Sequence, residues 1–387
     1  MTRDEKFHVV IAGGGVAALE TMVALRELAE ERVELTLVAP DNLFVYRPLA
    51  VAEPFGLGSV IRVPLETLTA GCGATHEQAS ALLVAPADRK VHTSRGTTIA
   101  YDAFVLAFGA RTEEALPGAI SFGGPNDTRA IEMLLEDLEN GLVRRVAFAV
   151  PTGVGWTLPL YELALLTGEH ILDAHLDAKV VLVTPEEQPL GIFGNEASSG
   201  IATLFEERGI ELRSGLHARY FEQGRLHVIG SEPIEADRVL TLPRLKGRYF
   251  DGVPQDSDGF IETDDFGRVE GVPYVYAAGD ITRFPIKQGG LAAQQADAVA
   301  ESIAAEAGAD VSPTPFKPVL RGLMLTGRRP AFMRAELTGG HGDTSVVNSN
   351  PLWWPSGKVA ARYLGPYLAK YATSPSGSRY EPSGLIL

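Results

Sequence analysis

A run of glycines near the start of the chain constrains the fold more than any other feature of the sequence. Gly13, Gly14 and Gly15 follow the short apolar run Phe7–Ala12, and a helical pattern of apolar residues begins directly after them. A second apolar run, Val33–Val38, follows that pattern. A strand, a glycine turn, a helix and a strand in this order predict a βαβ unit in a parallel sheet.

The spacing Gly13-x-Gly15-x-x-Ala18 is typical of a loop that binds a dinucleotide. The first glycine permits the tight turn, the second lets a pyrophosphate approach the backbone, and a small third residue packs the helix on the sheet. Exposed N–H groups and the positive helix end then hold the diphosphate. We therefore predict cofactor contacts at Gly13, Gly15, Val16, Ala17 and Ala18. The alternative is a plain glycine turn of an α/β protein.

The carboxylate that holds the ribose in such sites normally follows the second strand directly. Here Ala39 stands at that place, and Asp41 is the first acidic residue after the strand. Two interpretations stay open, because Asp41 either reaches the ribose of the cofactor or caps the turn.

The length of 387 residues exceeds what one hydrophobic core usually organises, so two or three domains are expected. The plan of the first unit recurs as an apolar run at 145–150, a turn at Gly153 and Gly155, a helical pattern at 158–166 and a strand at 179–183. The predicted fold class is α/β, with two Rossmann-like dinucleotide-binding domains and a small C-terminal α+β domain.

The composition along the chain suggests where these domains begin and end. The predicted segments are 1–118 with 250–312 for the first domain, 119–249 for the second and 313–387 for the third. In the third domain, β-like runs at 320–326 and 331–337 precede a predicted amphipathic helix at 357–371.

Charge and cysteine content exclude several classes of function. The formal net charge of −15 repels phosphate backbones, so nucleic acid is not an expected partner. Cys72 is the only cysteine, which excludes an intrachain disulfide, a two-thiol redox centre and a cysteine-based metal site, and no metal is expected. Without a signal peptide or an apolar run of about 18 residues, the sequence predicts a cytoplasmic protein with no membrane span. The oligomeric state stays open, a homo-oligomer included.

Two further motifs end in glycine at the close of apolar strands. They are Leu106-Ala107-Phe108-Gly109-Ala110 and Tyr276-Ala277-Ala278-Gly279-Asp280. Together with the first glycine loop, they resemble the flavoproteins with two dinucleotide-binding domains, the pyridine nucleotide-disulfide oxidoreductase superfamily, and most of all its branch of sulfide:quinone oxidoreductases and type II NADH dehydrogenases. The resemblance covers nearly the whole chain. It implies an FAD-dependent oxidoreductase whose first domain binds FAD and whose second domain is of the NAD type.

The resemblance also implies roles for single residues. Asp280 would hydrogen-bond the ribityl or phosphate part of the flavin, and Lys287 would lie at the start of a helix that faces the isoalloxazine ring. A lysine or a helix N-terminus there stabilises the negative charge of reduced flavin. The alternatives are a turn-capping role for Asp280 and a solvated side chain for Lys287. Further implied contacts with FAD are at Arg47, Ala81, Ala107, Gly109, Gly279, Gly290 and Leu291.

The second glycine loop, at 151–159, departs from the family pattern. Trp156 is bulky where a pyrophosphate should approach, and Leu158 stands at the third small position. Large side chains at these places predict impaired nicotinamide binding. The alternative, in which Glu186 or Glu187 still holds an NAD ribose, leaves NAD(P)H open as a second cofactor.

Three kinds of side chain are candidates for the chemistry. In type II NADH dehydrogenases, a helix glutamate at the place of Glu162 lies near the flavin, so the resemblance implies a proton relay there, unless Glu162 is a surface residue. Lys358 would pair with an anionic substrate or the flavin, or would be solvated. Trp156, Trp353 and Trp354 are expected to line an aromatic substrate pocket, and packing between domains is the alternative.

We therefore expect an enzyme that moves two electrons through flavin N5 to or from a small organic or quinone-like substrate bound beside Glu162, Lys287 and Trp353. With one cysteine, the ordinary sulfur chemistry of sulfide:quinone oxidoreductases is not expected. Leu291 stands where the quinone motif of the dehydrogenases would have glutamine. Two alternatives stay open, an NAD(P)H-dependent flavin reductase or dehydrogenase and a non-catalytic flavin-binding sensor.

Overall fold

The structure is a computed structural model that describes residues 6–338 and 341–371. The helices are α1 Val16–Ala29, α2 Leu65–Gly71, α3 Thr128–Glu139, α4 Leu158–Asp173, α5 Asn195–Glu207, α6 Gly289–Glu306 and α7 Leu364–Leu368. Within the described residues, no helix has both the length and the apolar composition needed to cross a bilayer.

The strands follow in chain order. They are β1 Phe7–Ala12, β2 Val33–Val38, β3 Leu43–Val45, β4 Arg62–Pro64, β5 Thr75–Glu77, β6 Ala81–Ala85, β7 Lys90–Thr93, β8 Thr98–Ala100, β9 Ala103–Leu106, β10 Arg111–Glu113, β11 Ile120–Ser121, β12 Arg145–Ala149, β13 Lys179–Val183, β14 Ile210–Arg213, β15 Ala218–Glu222, β16 Arg225–Val228, β17 Ile234–Glu235, β18 Arg238–Thr241, β19 Arg244–Lys246, β20 Val275–Ala277, β21 Val319–Met324, β22 Ala331–Thr338 and β23 His341–Asn348.

The first sheet has the order β20-β9-β1-β2-β5, and all of its pairings are parallel. Apart from the edge strand β5, its strands are largely buried on both faces, as expected for a parallel sheet. Val9 and Ile11 of β1 join a core with α1 and α6, whereas Val10 and Ala12 join a core with the antiparallel sheet β6-β7-β8. The apolar run that ends at the first glycine loop is therefore the central strand of a three-layer domain.

The second sheet repeats this plan with the order β11-β18-β12-β13-β14, again with parallel pairings. One face packs against α3, α4 and α5, and the other packs against the small antiparallel sheet β15-β16-β17. The α/β fold class with two Rossmann-like sheets is confirmed. The short antiparallel pair β10-β19 joins the segment that leads into the second copy to the segment that leaves it.

The C-terminal region contains the antiparallel sheet β21-β22-β23, which covers the predicted β-like runs. The predicted helix at 357–371 is wrong, because only α7 forms within that range. Polar side chains of the first domain take backbone N–H groups that a continuous helix would use. Tyr46 Oη accepts from Val359 N–H at 2.9 Å, and Glu20 accepts from Tyr363 N–H at 2.9 Å.

Glu20 on α1 holds this C-terminal segment and lies next to a second carboxyl group, that of the half-buried Asp297 on α6. Glu20 is fully buried and also accepts from Leu364 N–H at 2.5 Å. Burial and the nearby Glu20 charge raise the pKa of Asp297 to about 9. Burial raises the pKa of Glu20 as well, against the N–H groups of Tyr363 and Leu364. At neutral pH the two carboxyl groups therefore share a proton, with Asp297 as the protonated partner.

Replacement of Asp297 by asparagine should flatten the dependence of stability on pH. The pKa of Asp297 in the folded protein, about 9, lies above the value of about 3.9 for an unfolded aspartate. The folded state therefore holds a proton that the unfolded state releases, and the stability that this proton provides declines as the pH rises between these two values. The asparagine side chain does not titrate, so this contribution to the pH dependence disappears in the variant.

The measurement is the melting temperature of the wild type and of Asp297→Asn between pH 5 and pH 9. The melting temperature of the variant should rise relative to that of the wild type as the pH increases. Asp310→Asn, which changes an exposed aspartate near the end of α6, is the matched control and should follow the wild type. Parallel pH profiles for the wild type and Asp297→Asn would contradict the shared proton.

Candidate functional site

The first glycine loop combines one crowded glycine with one open glycine. Gly13 has φ +136°, and a Cβ atom there would lie 2.2 Å from the carbonyl oxygen of Ala107. Gly15 precedes α1 as its N-cap, and none of the described residues comes within 4 Å of the place of its missing Cβ. Gly13 therefore seats the turn against β9, and Gly15 leaves the backbone at the α1 N-terminus accessible to a ligand.

The start of α1 lies against the loop that follows β20. Gly279 has φ +80°, and a Cβ atom there would lie 3.0 Å from Cβ of Ala17 and 3.5 Å from Cβ of Ala292. Ala17 and Ala18 are buried, and Val16 is half-buried. Small side chains therefore let α1, α6 and this loop approach one another, which places Asp280 between the two helix N-termini.

Three charged residues share this region. Burial raises the pKa of the Asp280 carboxyl, and the charges of Lys287 and Arg47 oppose that rise. Burial lowers the pKa of Lys287 to about 8, against the charges of Asp280 and Asp256. Lys287 Nζ donates to the carbonyl oxygen of Thr282 and lies 3.9 Å from the centroid of the Phe260 ring. Lys287 is therefore anchored inside the loop and is not a solvated lysine.

The other predicted flavin contacts surround the same loop ends. Gly109, after β9, has φ +71°, and none of the described residues comes within 4 Å of the position that a Cβ atom would take there. Ala107 N–H donates to the carbonyl oxygen of Ala12 at 2.8 Å. Gly290 and Leu291 form the first turn of α6, where the Leu291 N–H donates to the Gln288 side chain at 2.8 Å. Leu291 itself is buried in the core of the second domain.

Two predicted contacts lie farther along the first sheet. Asp41 is exposed in the turn after β2, and Ala81 is half-buried in β6, where it pairs with Thr93. Both stay predictions for the ribose and the adenine. The open N-terminus of α1, the bare side of Gly15 and the buried carboxyl of Asp280 fit a dinucleotide whose diphosphate lies at the helix end.

The second glycine loop is longer than the first, and its glycine packs against another loop of the protein. Residues 150–157 connect β12 to α4, whereas residues 13–15 connect β1 to α1. A Cβ atom at Gly155 would lie 2.4 Å from the carbonyl oxygen of Pro285. The bare backbone of Gly155 therefore packs on the loop before α6. Counted back from the helix, Gly155 takes the place of Gly13.

The same count puts Thr157, the buried N-cap of α4, where the first loop has Gly15. Its hydroxyl donates to Glu186 at 3.4 Å. Tyr161 Oη donates to Glu186 at 2.5 Å, and Thr184 Oγ1 donates to it at 2.9 Å. Burial raises the pKa of Glu186, and these hydroxyls oppose the rise. The carboxylate predicted as an alternative ribose ligand is thus already held by the protein, while Glu187 is exposed.

Sequence reasoning missed this arrangement because it counted the second glycine motif from the strand. The signal was present in the spacing between the last apolar residue of the strand and the first residue of the helical pattern. The role of Tyr161 was not visible in the sequence, because Tyr161 contacts Glu186 from one helical turn inside α4.

Glu162 and Lys358 form a buried ion pair. Lys358 Nζ lies 2.5 Å from Glu162 Oε1, and the exposed fractions of the two side chains are 6% for Lys358 and 1% for Glu162. The same oxygen accepts from Leu325 N–H at 2.8 Å. Burial raises the pKa of Glu162, and the Lys358 charge opposes the rise. Glu162 is therefore not a surface helix residue, and Lys358 is not a solvated lysine.

The segment that carries Lys358 crosses the N-terminus of α6. A Cβ atom at Gly289 would lie 2.9 Å from the side chain of Val359, whose N–H is held by Tyr46. Tyr46 directly precedes Arg47, one of the predicted flavin contacts. The structure thus brings the Glu162–Lys358 pair to the junction of the two dinucleotide-binding domains and the C-terminal segment.

The predicted aromatic wall does not form among the described residues. Trp156 packs against Phe193 with ring centroids 6.0 Å apart, and this cluster lies on the face of the C-terminal sheet toward the second domain. Trp353 packs against Phe332 with centroids 5.2 Å apart. Trp354 is 80% exposed.

The pleat of β22 explains why Trp156 and Trp353 do not meet. Met333 joins the core of the second domain with Phe193, so the neighbouring Phe332 leaves the opposite face of the sheet, and Trp353 packs there. The sheet therefore separates Trp156 from Trp353. No group of three or more His, Cys, Asp or Glu side chains in residues 6–338 and 341–371 is arranged to hold a metal ion.

Comparison with known proteins identifies similar chains. Residues 7–298 match the family described as Pyridine nucleotide-disulphide oxidoreductase. An NADH dehydrogenase-like protein of Mycobacterium tuberculosis is 29% identical over 291 residues, which are 71% of this chain and 72% of that protein.

Solved structures share the fold. The sulfide:quinone oxidoreductase of Aquifex aeolicus superposes with a TM-score of 0.80 at 21% identity, over 88% of this chain and 86% of that one. A ferredoxin reductase of Rhodopseudomonas palustris superposes with a TM-score of 0.65 at 18% identity, over 86% of this chain and 83% of that one. At these identities the likeness concerns the fold.

Replacement of Gly15 by valine should weaken FAD binding without unfolding the protein. Valine can adopt the extended backbone conformation of Gly15, with φ −96° and ψ −169°. Its side chain would enter the open space at the α1 N-terminus. We expect the affinity for FAD to fall roughly tenfold or more, about 1.4 kcal/mol, because the diphosphate loses its approach to the backbone.

The measurement is fluorescence titration of the apoprotein with FAD. Gly200→Val is the matched control, because Gly200 is exposed on α5 with no described atom within 4 Å of the added Cβ. Its affinity for FAD should equal that of the wild type. Equal affinities for Gly15→Val and the wild type would show that the first glycine loop does not hold the diphosphate.

Proposed function

The chain belongs to the pyridine nucleotide-disulphide oxidoreductase family, and we propose that it exchanges two electrons between FAD and a small organic or quinone-like substrate without using NAD(P)H. Proteins of this family are FAD-dependent oxidoreductases, so the predicted enzyme class and cofactor are confirmed. The substrate and the exclusion of NAD(P)H are the proposal.

The residues that would hold FAD lie at the carboxyl ends of the first parallel sheet. Gly15 and the first N–H groups of α1 would hold the diphosphate, and Asp280 would take the ribityl or phosphate part. Gly109 leaves open space after β9 for the ring system, whereas a Cβ atom at Gly290 would lie 3.0 Å from the Gln288 side chain. When bound, FAD supplies two-electron transfer through its N5 atom.

The observation that carries the proposal is the buried pair of Glu162 and Lys358. A quinone-like substrate takes up two protons with two electrons, so its site needs a group that can deliver protons where water is excluded. The 2.5 Å contact between Lys358 Nζ and Glu162 Oε1 holds one such proton at the domain junction. The Leu325 N–H fixes the carboxylate in place. We assign Glu162 as the proton relay and Lys358 as its proton donor.

Lys287 has a supporting role in this proposal. Its pKa of about 8 allows the amine to change charge near physiological pH, beside Asp280. A positive Lys287 favours negative charge on the cofactor in its reduced form, and the Thr282 carbonyl oxygen fixes where that charge lies.

The second glycine loop supports a reaction without nicotinamide. Thr157 stands at the N-cap position of α4, and its hydroxyl donates to Glu186 at 3.4 Å, so the Glu186 carboxyl group lies beside the helix N-terminus that a pyrophosphate would need. Gly155 is already packed on Pro285. A second candidate function is an NAD(P)H-dependent flavin reductase, favoured by the similarity to an NADH dehydrogenase-like protein.

Replacement of Glu162 by glutamine should slow proton transfer while FAD stays bound. Glutamine keeps the size of the side chain but cannot carry the proton, and general acid–base catalysis typically contributes about 100-fold or more. The oxidised protein is photoreduced without oxygen and mixed with a soluble benzoquinone in a stopped-flow instrument. We expect flavin reoxidation about 100-fold slower in Glu162→Gln. Glu136→Gln, an exposed change on α3, should match the wild type.

In the wild type, the rate of flavin reoxidation should also fall at high pH. Because burial raises the pKa of Glu162, the protonated form persists to higher pH than for an exposed glutamate, and reoxidation should slow only when the pH passes that raised value. Glu162→Gln should lack this pH-dependent step. Reoxidation at wild-type rate in Glu162→Gln would remove Glu162 from the mechanism.

Anaerobic mixing with NADH or NADPH should leave the flavin oxidised. At roughly 1 mM nucleotide, the upper range of ordinary enzyme affinities, the flavin absorbance should persist for minutes. Photoreduction of the same sample is the control and should bleach the flavin completely. Rapid bleaching by either nucleotide would favour the NAD(P)H-dependent reductase over our proposal.

A further inference from the structure

The face of the C-terminal sheet that points away from the second domain carries an unusual pair of arginines. Arg321 of β21 lies directly opposite Arg334 of β22 in the antiparallel register. Both side chains leave the face that Phe332 shares, because residues two apart in a strand point the same way. Both are half-buried. Like charges directly opposite each other destabilise a sheet, so this pair needs compensating negative charge.

The described part of the chain supplies little of that compensation to Arg321. Arg334 donates to Glu336 at 2.7 Å, an exposed ion pair at the sheet surface. Within residues 6–338 and 341–371, the guanidinium of Arg321 forms no hydrogen bond or ion pair. Burial and the Arg334 charge lower the pKa of Arg321, and the Asp297 carboxyl opposes this decrease.

Asp297 is a poor counter-charge at neutral pH. Burial and the nearby Glu20 charge raise its pKa to about 9, so the Asp297 carboxyl is protonated at neutral pH. The Glu20 charge is in turn taken up by the N–H groups of Tyr363 and Leu364. The Arg321 guanidinium is thus partly desolvated, and the described residues provide it with little compensating negative charge at neutral pH.

Apolar side chains flank the arginine pair on the same face. Leu323 and Phe332 form the next cross-strand row, and Trp353 packs edge-on against Phe332. On the other side Val346, opposite Arg334 in β23, is 44% exposed. A cationic pair between an aromatic cluster and an exposed aliphatic side chain matches a small molecule with an anionic end and an apolar body.

We propose that Arg321 and Arg334 bind the carboxylate of a small organic acid, whose apolar part lies against Val346 and Trp353. Guanidinium groups present paired N–H donors that match the two oxygens of a carboxylate. The net charge of −15 repels anions at long range, so the two guanidinium groups must attract the carboxylate locally. The site does not depend on the proposed electron acceptor, because it is defined in the oxidised, resting protein.

Benzoate is the probe for this site. Equilibrium dialysis of labelled benzoate against the oxidised FAD-bound protein should give saturable binding of one molecule per chain. Benzamide, the neutral molecule of the same shape, should not displace it. Arg321→Gln and Arg334→Gln should each weaken benzoate binding tenfold or more, and Arg321→Lys, which keeps the charge but loses the fork, should lie between them and the wild type.

The matched control is Arg129→Gln, which removes a positive charge from the exposed surface of α3. Its affinity for benzoate should equal that of the wild type. Absence of saturable benzoate binding, or equal affinity in the wild type and Arg321→Gln, would overturn the proposal. So would equal binding of benzamide, because the carboxylate would then not be recognised.

A second readout guards against variants that fail to fold. Without benzoate, Arg321→Gln should melt at the same temperature as the wild type or higher, because a like-charge contact is removed. The same concentration of benzoate should raise the melting temperature of the wild type by more than that of Arg321→Gln. A large drop in the melting temperature of benzoate-free Arg321→Gln would mean that Arg321 has a structural partner, which contradicts the proposed anion site.

Discussion

The close approach of the backbone at Gly13 is the constraint on which the rest of the first domain depends. The carbonyl oxygen of Ala107 lies where any side chain at Gly13 would be, so β1, β9 and the start of α1 meet only because this residue has none. That contact sets the direction of α1 and leaves the backbone of Gly15 accessible to a ligand. At the end of β20, Gly279 likewise allows a close approach, because it packs between Ala17 and Ala292. This packing brings Asp280 to the N-termini of α1 and α6.

The two copies of this plan show how the same architecture can either accept or exclude a diphosphate. In the first copy the helix begins directly after the glycines, and its positive end faces open space. In the second copy the longer loop packs its bare glycine, Gly155, on Pro285, and Thr157 and Tyr161 hold Glu186 at the helix start. An acidic side chain of the protein itself thus lies at the helix start, where a pyrophosphate would bind.

Much of the fold follows from local signals in the sequence, and much of the site does not. Glycine spacing and the length of apolar runs predict both parallel sheets, because turn sterics and strand burial act over neighbouring residues. The Glu162–Lys358 pair and the Glu20–Asp297 pair join residues far apart in the chain, so no local pattern predicts their contacts. The helix expected at 357–371 fails for a related reason, since Glu20 and Tyr46 capture its N–H groups from another domain.

The most direct test of the account is the number and kind of dinucleotides that the protein binds. Equilibrium dialysis of the apoprotein with labelled FAD and, separately, of the FAD-bound protein with labelled NAD counts the two sites without requiring any reaction. We expect one FAD per chain and no saturable binding of NAD. A chain that binds no FAD, or a second site that saturates with NAD, would contradict the claim that the first glycine loop is open and the second is closed.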